Sequence, residues 1–527
     1  VGRGAGCELP SGSSRPTFGR CPLAALPLFA PPIAINVPLV VLLKYMRWKY
    51  TGSAIVYIVR GTTPLEKPKM RSEVFERRLH LPVPGDEAFA WHERPGALDR
   101  LIPPWESVRI ADRGDGIRDG SVVKLVARLG LCKLPWLAKH HDYDAGRSFR
   151  DTQLSGPFAK WEHLHKFETD ATGRGTLEDR IEYRLPGGAV GTLFAGAFVR
   201  RKLERMFDYR HNTTHADLAA HARYQGAGLM RIAITGSSGL VGSSLVPLLT
   251  TGGHTVTRLV RGVPEEGEVK WDPTAETFDA SPLDGIDAVV HLAGENIAGS
   301  RWNARVKQRI RDSRVIGTRT LCEGLAGMAT PPKVLVSASA IGFYGDRGDQ
   351  RLDEDSSAGS GFLADVVSQW EQSTRPAAEA GIRVVNLRFG VILSPRDGAL
   401  SKMLLPFKLG AGGRVGSGKQ YWSWISIDDV AGAILYAIMT GNLSGPVNAV
   451  APNPVTNLEF TKTLGRVLGR PTIFPMPAFA AKLALGEMAE ELLLASARVE
   501  PKQLLQSGYD FRQPTLEAAL RHLLGRT

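Results

Sequence analysis

Residues 230–242 read MRIAITGSSGLVG. A short apolar run, Ile232–Ile234, feeds into glycines at 236, 239 and 242, and an amphipathic stretch, Ser243–Leu249, follows at once. That order is strand, tight turn, helix N-terminus, the arrangement that cradles a dinucleotide pyrophosphate. Gly236 lets the chain turn, Gly239 lets backbone approach phosphate, and Gly242 lets the helix pack on the strand. The loop Gly236, Ser237, Ser238, Gly239, Leu240, Val241 and Gly242 is therefore the expected cofactor-binding element.

Downstream, buried-type strands at 255–260, 288–292, 334–338 and 384–389 alternate with helical stretches at 304–325 and 362–379. This βαβ alternation predicts an α/β, Rossmann-type, doubly wound parallel sheet over 230–400, with a smaller C-terminal substrate region over 401–527. NAD-specific sites carry an acid at the end of the second strand, for the ribose 2′-hydroxyl. Here the segment is TRLVRG (257–262), with Arg261 in that place and no acid beside it. A guanidinium pairs with a 2′-phosphate, so the expected cofactor is NADP(H), with Arg261 preferred over Arg258. The small residues Leu292, Ala293 and Gly294 in HLAGENI (291–297) are expected to pass close to it.

The segment 70–225 reads differently. Strand-like runs at 74–83, 107–111, 121–129, 138–143, 147–154, 161–168 and 176–185 precede a long amphipathic stretch at 191–209, with a short helix at 85–93 near the start. Many strands and a closing helix predict an α+β layer. Trp161, His163, His165 and Phe167 share one strand face by their period of two. No third His or Cys joins them in sequence, so the two histidines are read as cavity-lining and no metal is assigned. Asp179 and Glu182 are read as solvated strand charges rather than acid/base groups.

The formal charge of +12 is uneven: residues 1–69 hold nine Lys/Arg and two Glu, supplying +7 and leaving +5 for the other 458 residues. No basic stripe interleaved with aromatics is present, which argues against a nucleic-acid partner. Four cysteines (Cys7, Cys21, Cys132, Cys322) lie far apart with no CxxC, fitting a reducing, cytoplasmic setting. The uncharged run 23–43 is broken by Pro27, Pro31, Pro32 and Pro38, unlike a spanning helix. Residues 1–69 are read as a non-globular extension, with Met70 as the natural start. An organelle transit peptide is the alternative.

Two resemblances add to this. LIPPW (101–105), DGSVVKL (119–125), QLSGPFAKWEHLHKFE (153–168) and LEDRIEYRLP (177–186) resemble the START-like polyketide cyclase/dehydrase superfamily. That implies a helix-grip domain with an apolar cavity. TGSSGLVG (235–242), HLAGENIAGSRW (291–302), DSRVIGTRTL (312–321), SASAIGFYG (337–345), QWE (369–371), GSGKQYWSWISIDDV (416–430) and the tail 501–520 resemble the atypical extended short-chain dehydrogenase/reductases grouped as epimerase family proteins, including their C-terminal extension.

Ordinary members of that superfamily use Ser, with Tyr and Lys in a YxxxK helix. With Glu371 as anchor, those Tyr and Lys positions hold Leu363 and Val367, which cannot move protons. Ser339, or Ser337, matches the Ser, and Tyr344 is the only close phenol; its alternative is a ring packed under the turn. Arg314 falls where ordinary members carry Asn and is expected to bind cofactor phosphate or steady an oxyanion. Gly413-x4-Gly418-Lys419 is followed by Gln420 and a strand, so it is not a P-loop. Tyr421, Trp422 and Trp424 are expected to shape the substrate side of the cleft, and Asp428 and Asp429 to cap the following helix.

The leading expectation is an NADP(H)-dependent oxidoreductase acting on an apolar small molecule held by the START-like half. The alternatives are a non-catalytic NADP(H)-binding sensor or ligand-transfer protein, and a nucleotide-sugar epimerase. No stable membrane insertion and no particular oligomeric state are assigned.

Overall fold

A computed structural model describes residues 72–129, 132–275 and 277–526. The extension 1–69 lies outside the described residues.

The N-terminal half is a seven-stranded antiparallel sheet: β1 (Glu73–His80), β2 (Val108–Asp112), β3 (Val122–Leu129), β4 (Cys132–Asp144), β5 (Ser148–Ser155), β6 (Lys160–Thr169) and β7 (Gly175–Arg184). The spatial order is β1-β7-β6-β5-β4-β3-β2. Helices α1 (Gly85–Glu93) and α2 (Ala97–Leu101) follow β1, and α3 (Gly188–Ala222) closes the unit. Strand β4 starts earlier than the sequence predicts because Pro135 pairs only toward β3; β5 ends opposite Leu137, so no partner needs the missing N–H. Helix α3 runs past its predicted end at Tyr209. Leu203, Phe207, His211, Thr214 and Leu218 continue one buried face, and the polar run 211–215 hides that continuity in sequence.

The second half is a seven-stranded parallel sheet: β8 (Arg231–Thr235), β9 (Thr255–Val260), β10 (Glu268–Lys270), β11 (Ala288–His291), β12 (Val334–Ala340), β13 (Arg383–Phe389) and β14 (Gly445–Ala449). Its order, β10-β9-β8-β11-β12-β13-β14, reverses direction between β8 and β11. The ends of those two strands are where such sheets bind ligands. Helices α4 (Gly242–Thr251), α5 (Ala304–Ala326), α6 (Phe362–Gln372) and α7 (Ile427–Met439) cover the faces. One apolar cluster gathers Ile232, Ile234, Val290, Val336 and Leu387 with α7; the other gathers Ala233, Val289 and Leu335 with Leu321 and Leu325 of α5. The tail returns to the sheet side through Arg498–Val499, paired with Arg351–Leu352, and ends in α8 (Leu516–Leu524).

The halves meet through buried charge. Arg100 of α2 makes a two-pronged pair with Asp217 of α3 at 2.7 and 2.9 Å and reaches Asp428 of α7 at 3.2 Å. Arg512 closes on Asp217 at 2.7 Å, and His522 on Asp428 at 3.2 Å. Asp428 and Asp429 are therefore not the cap of α7. Ser426 is, its hydroxyl accepting from Asp429 N at 3.0 Å. Asp429 instead accepts from the backbone N–H of Arg512 and Gln513, tying down the tail. No helix among the described residues is long and apolar enough to cross a membrane.

Candidate functional site

The glycine loop has the geometry its spacing predicts. Gly236 sits at φ +68°, and a Cβ there would lie 2.9 Å from the backbone of Leu292 and Ala293. A Cβ on Gly242 would meet Gly236 O at 2.4 Å and Ser237 Cα at 2.6 Å, so α4 starts hard against the turn. Gly239 differs: its Cβ would meet only Gly236 O, at 3.3 Å, and its other side is open. The open side of the loop lies at the N-terminus of α4, the place where a pyrophosphate fits. Ser238 and Gly239 are exposed, and Ser237, Leu240 and Val241 half-buried.

The neighbouring loop is held by a buried chain of hydrogen bonds. Thr235 Oγ1 accepts from Leu292 N at 3.1 Å and Ala293 N at 3.2 Å, and lies 2.8 Å from His291 Nδ1. His291 Nε2 is 3.0 Å from Thr318 Oγ1, which also accepts from Trp370 Nε1 at 2.9 Å. Burial holds the His291 pKa down to about 4. The unfolded chain takes up that proton near pH 6.5, so stability from neutral His291 is complete above that pH and lost as pH falls toward 4. The shift corresponds to about 3 kcal/mol. Urea titrations at pH 7 and pH 4 are expected to differ by about that much less in His291→Gln than in the unsubstituted chain; an equal difference in both would contradict it.

Arg314 stands beneath this loop. Its Nη1 donates to the Glu295 and Ile310 carbonyls at 3.0 and 3.2 Å, and its guanidinium lies 5.0 Å from the Trp370 ring centre. A Cβ on Gly294 would sit 3.4 Å from it. Burial lowers its pKa to about 10. Arg261 is exposed immediately past the end of β9, where a 2′-phosphate would be met.

At the end of β12 the sequence reading needs revision. Ser339 is 2% exposed and donates to Glu371 Oε1 at 2.6 Å. Arg388 clamps the same carboxylate through Nε and Nη2, both at 2.8 Å. Arg388 Nη1 donates to the Tyr344 hydroxyl at 3.0 Å, and that hydroxyl lies 2.8 Å from Asn448 Oδ1 and 2.9 Å from the Asp353 carbonyl. Tyr344 is 0% exposed, and burial pushes its pKa up to about 12. Of the two readings of Tyr344, the ring packed under the turn is the observed one. With its hydroxyl engaged on all sides it cannot act directly as an acid. Leu363 and Val367 pack on the turn beside it: a Cβ on Gly342 would meet Leu363 Cβ at 3.3 Å and Val367 Cγ2 at 3.9 Å. Glu371, which the sequence marks only through its QWE motif, joins Ser339 to Arg388, and no motif marks Arg388.

Two aromatics are also displaced from their expected role. Trp422 and Trp424 are buried in an apolar cluster with Phe460 and Leu464. Tyr421 lies under Arg498, 4.8 Å from its guanidinium.

In the first half, His163 and His165 face inward as predicted, between two apolar clusters, one around Phe89 and Phe149 and the other around Phe75 and Phe207. Asp179 is a correction: it is buried, not solvated, and accepts from His163 and His211 at 3.0 and 2.7 Å. Its alternation with Leu177, Ile181 and Tyr183 carried that information. The centre of this interior is therefore ionisable rather than wholly apolar.

A seven-stranded doubly wound sheet with this glycine turn at its switch point defines a dinucleotide-binding α/β protein. A model of the NAD dependent epimerase/dehydratase family matches residues 232–449, and the domain of unknown function DUF1731 matches 476–523. An epimerase family protein of Mycobacterium tuberculosis, MT2273, is 46% identical over 298 residues, 56% of this chain and 98% of the relative. The chain belongs to the NAD dependent epimerase/dehydratase family. The human epimerase family protein SDR39U1, solved with NADPH, is 36% identical with a TM-score of 0.53, covering 56% of this chain and 99% of its own. A solved nucleoside-diphosphate sugar epimerase from Corynebacterium glutamicum is 37% identical with a TM-score of 0.71, over 86% of this chain and 90% of its own. That last match extends into the N-terminal half.

Proposed function

We propose that this protein is an NADP(H)-dependent oxidoreductase of the epimerase-like short-chain dehydrogenase/reductase type. The observation that carries the proposal is the Gly236–Gly242 turn, open at Gly239 and closed by backbone at Gly236 and Gly242. NADPH in the human relative supports the same cofactor here. Arg261 is the residue for the 2′-phosphate, and the backbone of the glycine loop holds the pyrophosphate. NADP(H) supplies or accepts the hydride when bound.

The protein's own part is the proton. Ser339 Oγ donates to Glu371, which leaves its lone pairs free to accept. In the oxidising direction the alcohol proton passes to Ser339 Oγ as the proton of Ser339 passes to Glu371 Oε1. The reducing direction runs the same relay backwards. Arg388 holds the Glu371 carboxylate in place through two hydrogen bonds at 2.8 Å, and Tyr344 acts as a positioning residue through Arg388.

The antiparallel sheet against α3 supports a START-like N-terminal half that holds a small, largely apolar substrate. A panel of carbonyl and polyketide substrates, followed by NADPH absorbance, tests the activity. Turnover is expected, with Ser339→Ala lowering kcat by at least about 100-fold while leaving NADPH affinity unchanged.

The second reading, a non-catalytic NADP(H)-binding ligand carrier, is favoured by one observation: Leu363 and Val367 are buried and apolar at the usual proton-transfer positions. It predicts tight NADPH binding and no turnover on any substrate. Native mass spectrometry of freshly purified protein would reveal nucleotide and ligand together.

A further inference from the structure

Two imidazoles bridge two carboxylates in the middle of the N-terminal sheet. On β6, His163 is in register with Asp151 of β5, and His165 with Asp179 of β7. Each ring turns one nitrogen toward each carboxylate. His163 Nε2 meets Asp179 Oδ1 at 3.0 Å, and its Nδ1 meets Asp151 Oδ2 at 3.2 Å. His165 Nδ1 lies 2.8 Å from Asp179 Oδ1, and its Nε2 lies 3.9 Å from Asp151 Oδ2.

The two ends are not equivalent. At Asp179 the second oxygen is taken by His211 Nε2 at 2.7 Å, so that end is closed. At Asp151, Oδ1 accepts from Trp161 Nε1 at 3.2 Å, leaving Oδ2 facing two imidazole nitrogens. The Asp151 side chain is also the more accessible, 15% against 4% for Asp179.

We propose that Asp151 Oδ2, His163 Nδ1 and His165 Nε2 form a binding site for a divalent transition-metal cation. Ligand atoms of these three residues lie within 4.8 Å of one another. A tetrahedral site with bonds of about 2.0–2.1 Å has ligand–ligand edges of about 3.3 Å. The 3.2 Å edge already matches; the 3.9 Å edge, and the edge between the two imidazole nitrogens, which lies within 4.8 Å, must close by rotation of the side chains. Two imidazoles and one carboxylate suit zinc or ferrous iron and leave a position for water or substrate.

The surroundings fit the same chemistry. A metal-bound imidazole commonly donates its far N–H to a carboxylate. Asp179 stands at the far nitrogen of both rings, and His211 fixes Asp179. Two buried nitrogens lack hydrogen bonds. One is His165 Nδ1, turned off the line to Asp179 despite its closeness; the other is His140 Nδ1, on β4 in register with Asp151.

The test uses the full chain, stripped with a chelator, dialysed and titrated with Co²⁺. One equivalent of Co²⁺ is expected, with visible d–d absorption that Zn²⁺ displaces. His163→Ala and His165→Ala should each abolish the absorption. Asp179→Asn keeps all three ligands and should weaken Co²⁺ binding by about 10–100-fold. Circular dichroism reports whether each variant folds. Uptake well below one equivalent by the unsubstituted chain overturns the proposal, whatever the variants do. So does a folded His165→Ala that keeps the absorption.

Discussion

Asp217→Ala is expected to destabilise the folded chain by about 3–5 kcal/mol, the usual cost of leaving a buried charge without its partner. Asp217 is 0% exposed and accepts from both Arg100 and Arg512. Its loss removes the carboxylate partner of Arg512 and leaves Arg100 with Asp428 alone in the seam between the halves. Burial alone would raise the Asp217 pKa, yet those two cations hold it below the ordinary carboxylate value. Its contribution is therefore present above the unfolded pKa and fades as pH falls through the folded one. Urea denaturation followed by tryptophan fluorescence measures the effect. The exposed pair Arg375–Glu379 provides the contrast: Glu379→Ala should change stability by no more than about 0.5 kcal/mol. A loss below about 1 kcal/mol in Asp217→Ala would mean that water enters the seam and solvates the arginines.

The second large effect separates two glycines of the same turn. Gly239→Ala is expected to lower NADPH affinity about a hundredfold while leaving the melting temperature nearly unchanged. Its Cβ would enter the open side of the loop and meet only Gly236 O. Losing two charge-assisted hydrogen bonds at ~1.5 kcal/mol each gives that factor. Gly236→Ala should lower both affinity and stability, because it combines a left-handed backbone, at about 1–2 kcal/mol, with a clash against Leu292 and Ala293. Calorimetric titration with NADPH and thermal denaturation of both variants make the comparison. Equal affinity in Gly239→Ala and the unsubstituted chain would remove the phosphate from this loop.

Much of the second half could be read before folding. Its strands are short apolar runs, and glycines 236, 239 and 242 carry their own steric logic. The substitutions at Leu363 and Val367 were also visible, because helix α6 has a fixed register from Glu371. What could not be read was how distant polar residues combine. Arg388 and Glu371 are 17 residues apart on different elements, and Arg100 and Asp217 are 117 apart. No local period marks such pairs. Tyr344 stood in an expected place, but whether its hydroxyl faced the cleft or the protein depended on Arg388 and Asn448. Asp151, His163 and Asp179 lie on three neighbouring strands, and only strand pairing brings them together. The burial of Asp179 was within reach of simple alternation.

The charged seam also bears on how such a chain could be assembled in evolution. Each half brings one cation and one anion: Arg100 and Asp217 from the first, Arg512 and Asp428 from the second. A gene fusion that joined two unrelated partners would satisfy charge neutrality without any change of composition. It would still fail to reproduce the placement in which Arg100 meets a carboxylate from each half and Asp217 meets an arginine from each half. Exchange of one half for a homologous half should therefore succeed only when the four residues travel as a set, and shuffled chimeras sort by that criterion before overall sequence identity.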